Sequence, residues 1–230
     1  DGYWSRGLGD VYKRQGSGDD FVRGNLRSNR LIGGFGNDTL NGYGGDDSLE
    51  GGDGNDILNG GSGIDTAVFS SRSNIVNLAS TRAQDTRDGI DVLTHIENVN
   101  AGGGNDIVRG NSGTNRLIGG AGRDTLYGYG GDDSLEGGDG NDILNGGSGI
   151  DTAVFSSRSN IVNLASTRAQ DTRDGIDVLT HIENVNAGGG NDIVRGNSGT
   201  NRLIGGAGRD TLYGYGGDDS LEGGDGNDIL

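Results

Sequence analysis

Aspartates recur at a fixed place after glycine turns throughout this 230-residue chain. The repeating unit is nine residues long, G-G-x-G-x-D-x-(Leu/Ile/Val)-x, and residues 137–145 (GGDGNDILN) match it fully. When such a chain coils, carboxylates at one spacing stack in a row and repel one another unless cations lie between them. The spacing therefore predicts a row of metal sites built from carboxylates.

The candidate metal ligands share the sixth position of the nonapeptide. They are Asp20, Asp38, Asp47, Asp56, Asp65, Asp106, Asp124, Asp133, Asp142, Asp151, Asp192, Asp210, Asp219 and Asp228. Carboxylates and turn carbonyls are hard oxygen ligands, which suit Ca²⁺ better than zinc or copper. Magnesium fits less well, because it demands near-ideal octahedral geometry and gives up water reluctantly. We expect several calcium ions in each array of repeats.

The remaining positions of the nonapeptide must place these aspartates. Glycines at the first, second and fourth positions are expected to adopt the positive φ of a tight turn. Three strand residues follow, of which only the middle one points inward. Parallel stacking of successive strands, ~4.8 Å apart, would bury the inward residues. Between residues 101 and 154 that column is Val108, Leu117, Leu126, Leu135, Leu144 and Ala153.

The chain has two periods, one of nine residues and one of 86. Residues 42–144 recur unchanged as residues 128–230, and each 86-residue unit holds six nonapeptides and a 32-residue insert. We read the chain as a fragment of a longer protein. The predicted segments are a leader unrelated to the repeats, which resembles a cloning or assembly scar (1–15), three arrays (16–68, 101–154 and the truncated 187–230) and two inserts (69–100 and 155–186).

Each insert is predicted to form a hairpin-like excursion. In the second insert, strand candidates at 153–155 and 161–165 are separated by a polar turn at 156–160. Residues 172–180 then form a degenerate nonapeptide that keeps the fourth-position glycine, the aspartate and the inward leucine.

The composition predicts that the chain does not fold on its own. Glycine accounts for 51 residues, hydrophobic residues for 30%, and the net charge is −16. Such a chain has too little apolar surface to offset its conformational entropy, so the metal-free arrays should be largely unfolded and metal binding should drive folding.

The acidity argues against nucleic acid or an anionic membrane as partner. No apolar run is long enough to span a membrane, and the absence of cysteine excludes disulfides and Cys-ligated zinc.

The in-phase nonapeptides of residues 16–230 resemble the RTX, or hemolysin-type, calcium-binding repeats of secreted bacterial proteins. Residues 91–99 (DVLTHIENV) resemble the linker between RTX arrays. The resemblance implies an all-β fold, a parallel β-roll (β-solenoid) in three arrays separated by the two inserts. Two nonapeptides make one coil of this roll, and calcium lies between turns two repeats apart.

The resemblance also implies ligand pairs. Asp124 and Asp142 would share one ion, with turn carbonyls from residues 119–124 and 137–142 completing its shell. Asp106 with Asp124, and Asp133 with Asp151, would pair likewise. The second nonapeptide of each array departs from the pattern, since Asn29, Asn115 and Asn201 replace the aspartate. A site that links Asn115 to Asp133 loses one negative charge and is expected to be weak or empty.

Two functions agree with these features. The resemblance implies a module that stays unfolded in calcium-poor cytoplasm, passes through a type I secretion apparatus and folds outside the bacterium, where it supports the secretion and folding of a larger protein. The alternative is a structural or adhesive repeat region of a large calcium-stabilised cell-surface protein. No protease, nucleotide-binding, esterase or cysteine-nucleophile motif occurs, so we expect no enzymatic activity in this segment.

Two further groups of residues have alternative interpretations. His95 and His181 could ligate a metal beside Glu97 and Glu183, but a solvated histidine is favoured. Tyr43, Tyr127 and Tyr129 could form a stacking surface for a carbohydrate, although tyrosines that flank the turns are favoured. The sequence thus specifies no carbohydrate or other surface ligand.

Overall fold

The computed structural model describes residues 12–230, so residues 1–11 of the predicted leader lie outside the described part of the chain. The described chain consists of β-strands and turns, with no helix between residues 12 and 230, and hence none that could cross a bilayer. Its contacts divide it into two units, Asp1–Gly110 and Asn111–Leu230. This boundary falls inside the array predicted at 101–154, so each unit contains one whole insert.

The strands of both units are short. Those of the first unit are β1 (Tyr12–Arg14), β2 (Phe21–Asn25), β3 (Arg30–Phe35), β4 (Thr39–Gly44), β5 (Ser48–Asp53), β6 (Ile57–Ser62), β7 (Thr66–Val68), β8 (Ile75–Asn77), β9 (Gln84–Asp85), β10 (Ile90–Thr94), β11 (Asn98–Asn100) and β12 (Ile107–Arg109). Those of the second unit are β13 (Arg116–Ala121), β14 (Thr125–Gly130), β15 (Ser134–Asp139), β16 (Ile143–Ser148), β17 (Thr152–Val154), β18 (Ile161–Asn163), β19 (Gln170–Asp171), β20 (Ile176–Thr180), β21 (Asn184–Asn186), β22 (Ile193–Arg195), β23 (Arg202–Ala207), β24 (Thr211–Tyr213) and β25 (Ser220–Asp225).

Successive strands of the arrays alternate between two parallel sheets. In the first unit one sheet has the order β1-β3-β5-β7-β11 and the other β2-β4-β6-β10-β9, while β8 pairs with β12. In the second unit the orders are β13-β15-β17-β21-β23-β25, β14-β16-β20-β19 and β18-β22-β24. Arg30 pairs with Ser48, and Thr125 with Ile143, so a coil contains 18 residues, or two nonapeptides. The predicted all-β, parallel β-roll is confirmed.

The core of each coil is one aliphatic side chain per nonapeptide. All six members of the predicted inward column are buried, from Val108 to Ala153, with at most 1% of any of them exposed. Leucines stack directly on leucines two nonapeptides apart, as in the pairing of Leu126 with Leu144, and not on those of the next nonapeptide as predicted. With so narrow a core, most of the backbone lies close to a turn.

The strands differ from the prediction in length. Many have six residues rather than three, because the pairing continues past the seventh to ninth positions into the first three positions of the next nonapeptide. In β14 the two buried places are therefore Leu126 and the first-position glycine Gly128. Within the three predicted strand residues only the middle one is buried, as expected, and the strand is longer than predicted because the first-position glycine prolongs the ladder.

Glycine has two different roles in the turns. Most second- and fourth-position glycines have positive φ, as at Gly138 (92°) and Gly140 (152°). First-position glycines do not have positive φ, contrary to the prediction. Glycine is required at this position because there is no room for a Cβ atom. A Cβ at Gly119 would lie 2.5 Å from Asp124 Oδ2 and 2.7 Å from the carbonyl oxygen of Gly137, both shorter than carbon–oxygen contact allows.

The inserts continue the roll rather than leaving it as a hairpin of their first two strands. β7 pairs with β5 and β11, whereas β8 pairs in parallel with β12, so these two strands belong to different sheets. The antiparallel pair is β9–β10, where Asp85 faces Ile90. The reason lies in residues 69–77, which form a glycine-free nonapeptide whose strand residues Ile75 and Val76 stack on Ile107 and Val108. The second insert has the corresponding pairs β18–β22 and β19–β20.

Part of the predicted leader also joins the first unit. β1 is parallel to β3, with Tyr12 paired to Arg30 and Lys13 to Leu31. Lys13 is buried in the inward place, and its ammonium group donates to the carbonyl of Arg23. Residues 12–14 thus form an additional strand at the start of the roll.

The difference between the glycine positions is testable with two alanine variants. Gly119→Ala places a methyl group against Asp124 Oδ2 and the Gly137 carbonyl, and we expect it to lower the free energy of unfolding in saturating calcium by about 1–3 kcal/mol. Gly130→Ala is the control, because a Cβ there meets nothing closer than 3.8 Å and reduced backbone freedom should leave stability equal or slightly higher. Urea unfolding followed by circular dichroism measures both. Equal urea midpoints for the two variants would contradict the steric argument.

Candidate metal centre

The sixth-position side chains form rows in which each carboxylate accepts a hydrogen bond from the preceding coil. Asp38 Oδ1 accepts the backbone N–H of Asp20, and Asp56 Oδ1 accepts that of Asp38, both at 2.8 Å. In the second unit, the same bond joins Asp124 N–H to Asp142 Oδ1 at 2.8 Å. Each bond holds one carboxylate oxygen in place and leaves the other to face the space between coils.

That other oxygen is buried and has no hydrogen-bond partner. This holds for Oδ2 of Asp38, Asp47, Asp56, Asp65, Asp106, Asp124, Asp133, Asp142, Asp151, Asp192 and Asp210. A buried carboxylate oxygen without a donor carries the full cost of desolvation, and native proteins rarely tolerate it. Eleven such atoms at equivalent positions indicate a bound cation rather than isolated strain.

Backbone carbonyls border the same spaces. Beside Gly119, Asp124 Oδ2 and the carbonyl oxygen of Gly137 both face the gap that a side chain would fill. Gly33 has the equivalent arrangement with Asp38 Oδ2 and the carbonyl of Gly51. Carboxylate and carbonyl oxygens are the donors that Ca²⁺ takes, so the residues present fit this ion.

No group of three or more His, Cys, Asp or Glu side chains converges on one point within residues 12–230. The candidate centre is therefore not a side-chain cluster. It combines one carboxylate row with backbone carbonyls.

Burial raises the pKa of eight of these aspartates, which are Asp38, Asp47, Asp56, Asp65, Asp133, Asp142, Asp151 and Asp192. Desolvation is the largest cause, and it raises the pKa of Asp47 and Asp133 to about 6 and of Asp56 and Asp142 to about 7. Hydrogen bonds from the preceding backbone lower these pKa values, while neighbouring aspartates of the row raise them further. The protein by itself therefore disfavours the ionised row that a divalent cation requires.

The structure brings most of the predicted ligands into this arrangement. Of the fourteen aspartates, twelve are buried, whereas Asp219 and Asp228, near the end of the second unit, are half-buried. The predicted neighbours Asp133 and Asp151 are joined by a 2.8 Å bond from the N–H of Asp133 to Oδ1 of Asp151.

At the asparagine positions, backbone N–H groups of the same turn donate to the side-chain oxygen. Asn115 Oδ1 accepts the N–H of Asn111 at 2.8 Å, and Asn201 Oδ1 accepts that of Asn197 at 2.8 Å. The amide of Asn201 also donates to the carbonyl of Glu183 at 2.8 Å. These bonds occupy the oxygen that an aspartate leaves unpaired, so the asparagine positions lack the feature that indicates a cation.

The rows continue into the inserts through residues absent from the predicted ligand set. Asp91 Oδ1 accepts the N–H of Asp56 at 2.8 Å, and Glu97 Oε2 accepts that of Asp65 at 2.9 Å. Asp177 and Glu183 do the same in the second unit. The degenerate nonapeptide indicated Asp91 and Asp177 in the sequence, but no spacing rule indicated the glutamates, because their segment is shorter than a nonapeptide.

The histidines and tyrosines lie outside the rows. His95 is exposed, and its Nδ1 lies 3.0 Å from Asn59 Oδ1, so the favoured interpretation of a solvated ring agrees with the structure. Tyr127 and Tyr129 stack on each other with ring centroids 6.0 Å apart. Tyr129 and Tyr43 have positive φ at the second position, where a glycine usually stands, so these tyrosines do flank the turns.

Fold and site together define a parallel β-solenoid whose glycine turns carry an acidic, oxygen-donor cation ladder. Comparison with protein families identifies its repeats, since the family model of the RTX calcium-binding nonapeptide repeat (4 copies) matches residues 15–49, 32–67, 95–126, 118–153, 184–203 and 195–230. These matches span well over half of the chain, and the protein belongs to the RTX calcium-binding nonapeptide repeat family. Ca²⁺ is the ion expected at its repeats. A comparison with curated proteins gave no match.

The raised pKa values predict a pH dependence of opposite sign with and without calcium. In the metal-free chain, the stability associated with these groups is fully present below the unfolded pKa of about 3.9 and is lost as the pH rises through about 6 to 7. Calcium requires the ionised carboxylates, so its affinity should increase over the same range.

We therefore expect more β structure at pH 5 than at pH 8 in metal-free buffer, and a lower calcium midpoint at pH 8 than at pH 5. Circular dichroism at both pH values, before and during calcium addition, measures the two trends. A metal-free chain with more β structure at pH 8 would contradict the sign.

Neighbouring aspartates provide a matched pair of variants. Asp133→Asn replaces a buried row carboxylate and should raise the calcium concentration at the folding midpoint, with a loss of about tenfold in affinity at that site, or roughly 1.4 kcal/mol. Asp132→Asn removes the same charge from the exposed adjacent residue and should leave the midpoint nearly unchanged. Circular dichroism during calcium addition measures the folding midpoint of each variant. Equal shifts of the two midpoints would mean that net charge rather than ligation sets the midpoint.

Proposed function

We propose that this chain is a calcium-driven folding module of a larger secreted bacterial protein. Its sixth-position aspartates, from Asp20 to Asp228, supply the carboxylates that hold the ions, and turn carbonyls complete the sites. The observation that carries this proposal is the set of eleven buried Oδ2 atoms without a donor. A fold that creates so many unsatisfied acceptors is stable only when a cation occupies the space between its coils.

The coupling of binding to folding supports a role in export. A ligand that binds only the folded chain stabilises it in proportion to the logarithm of ligand concentration. Where calcium is scarce, the carboxylate rows repel and the glycine-rich chain stays unfolded, as passage through a type I secretion apparatus requires. Outside the cell, or at its surface, calcium fills the rows and the coils form.

The same architecture supports a purely structural role, which is our second candidate. The first and second units repeat the same strands and the same inserts, as the corresponding pairs β8–β12 and β18–β22 illustrate. Repetition of such a unit lengthens a solenoid without a change in its interior. The sequence of the complete gene would separate the candidates: an upstream effector domain favours the first, and many further 86-residue units favour a structural or adhesive surface region.

In either role the segment itself is proposed to be non-catalytic. Within residues 12–230, its buried polar side chains are the row carboxylates, Asp88 and Asp174, asparagines and threonines of the turns, and Lys13. The row aspartates are assigned to metal binding, and Asp88 and Asp174 accept hydrogen bonds from Ser70 and Ser156, so an enzymatic activity would reside in another part of the parent protein.

A calcium titration tests the proposed function. We expect metal-free residues 16–230 to give a largely unfolded circular dichroism spectrum, calcium to produce a β-rich one, and a chelator to reverse it. Magnesium at equal concentration is the control, and it should be far less effective because of its rigid coordination. A β-rich spectrum that neither calcium nor chelator alters would overturn the proposal.

A further inference from the structure

The last aspartate of the first array has the same unsatisfied oxygen as the others, although no nonapeptide with the glycines of the repeat follows it directly. Asp65 is fully buried. Its Oδ1 accepts the N–H of Asp47 at 2.8 Å, and its Oδ2 has no hydrogen-bond partner. The following coil belongs to the insert and contains neither the first-position glycine nor the sixth-position aspartate of the repeat.

The insert nevertheless supplies equivalents of both. Glu97 Oε2 accepts the N–H of Asp65 at 2.9 Å, the bond that an aspartate of the next coil makes elsewhere in the row. The carbonyl oxygen of His95 borders the space beside Gly60 together with Asp65 Oδ2, as the carbonyl of Gly51 does beside Gly33. An oxygen-donor site is therefore rebuilt from residues that lack the nonapeptide spacing.

The backbone of His95 differs from that of the first-position glycine whose carbonyl it replaces. Its φ is +53°, in the left-handed region, whereas the first-position glycines have no positive φ. The ring points to the surface, where Nδ1 contacts Asn59 Oδ1 at 3.0 Å. His95 thus contributes its carbonyl oxygen to the interior while its imidazole stays outside.

The other row of the same unit ends differently. Asp91 follows Asp56, but the hydroxyl of Thr86 donates to Asp91 Oδ2, the oxygen that is unpaired elsewhere. Around the space beside Gly51, the three nearest atoms all belong to Asp56, and no carbonyl of the next coil is among them. At the end of one row, the insert therefore supplies the Thr86 hydroxyl, which donates to the last carboxylate. At the end of the other row, it leaves an open site lined by the His95 carbonyl oxygen.

We propose that Asp65, the carbonyl of His95 and Glu97 bind a calcium ion that joins the first array to its insert. Asp151, the carbonyl of His181 and Glu183 form the same site in the second unit, where Glu183 Oε2 accepts the N–H of Asp151 at 2.9 Å. The inference rests on the proposed function, because it adds two sites of another composition to the same ladder. It makes the inserts part of the calcium-binding structure rather than spacers between arrays.

Isothermal titration of the complete chain with calcium chloride tests the two sites. The double variant Glu97→Gln/Glu183→Gln keeps an acceptor for the N–H groups of Asp65 and Asp151 but removes the charges. We expect it to bind two fewer ions, or to bind two of them at least about tenfold more weakly, the effect of roughly 1.4 kcal/mol. The control is Glu50→Gln/Glu136→Gln, which removes two glutamates that form exposed ion pairs with Arg30 and Arg116 and should leave the binding unchanged.

A second measurement on the unaltered chain covers the case in which the double variant does not fold. The sequence contains only five glutamates, at 50, 97, 136, 183 and 222. With ¹³C-labelled glutamate, the infrared carboxylate band in saturating calcium should contain a metal-coordinated component from two of the five groups. A single free-carboxylate band, or unchanged stoichiometry and affinity in the double variant, would overturn the inference while calcium-dependent folding still supported the proposed function. A wild-type chain that binds no calcium would overturn both.

Discussion

Close approach of like charges in adjacent coils is the constraint on which the rest of this structure depends. A coil of 18 residues brings each sixth-position aspartate against the next one in its row. In eleven of these aspartates the second carboxylate oxygen is buried without a hydrogen-bond partner. Such an arrangement is costly in the protein alone, because burial first and the neighbouring carboxylates second raise the pKa of Asp56 and Asp142, and a divalent cation between the coils would remove that cost.

The glycine pattern follows from the same constraint. Coils can stack at strand spacing only if their turns have no side chains in the way, and the second- and fourth-position glycines also supply positive φ. The first-position glycine serves the site directly, because it leaves open the space into which a carboxylate and a carbonyl oxygen both face. The turn sequence is thus a requirement of the metal site as much as of the backbone.

The rows are uneven along the chain, and the unevenness comes from local hydrogen bonding. Asparagines such as Asn115 fill their own positions with amide contacts, and Thr86 satisfies Asp91 with a hydroxyl. Where neither an asparagine nor a threonine hydroxyl is present, as at Asp65, the second carboxylate oxygen has no hydrogen-bond partner. Ions should therefore be held at some turns and absent at others, even though the solenoid backbone is continuous within each unit.

The sequence by itself determined the stacked strands and their core, because a strict nine-residue period places one aliphatic in each repeat, as at Leu126 and Leu144, and the resemblance to RTX repeats implied the coil of two nonapeptides. It also identified the candidate ligands through their spacing. The degenerate nonapeptide also indicated Asp91. Only the tertiary structure decided where the strands end, that residues 75–77 continue the roll, and that the insert meets the other row through Glu97. The physical reason is that periodicity encodes contacts between equivalent positions. Contacts of the aperiodic inserts depend on which backbone oxygens and side chains the folded coils bring together, and no spacing in the sequence records them.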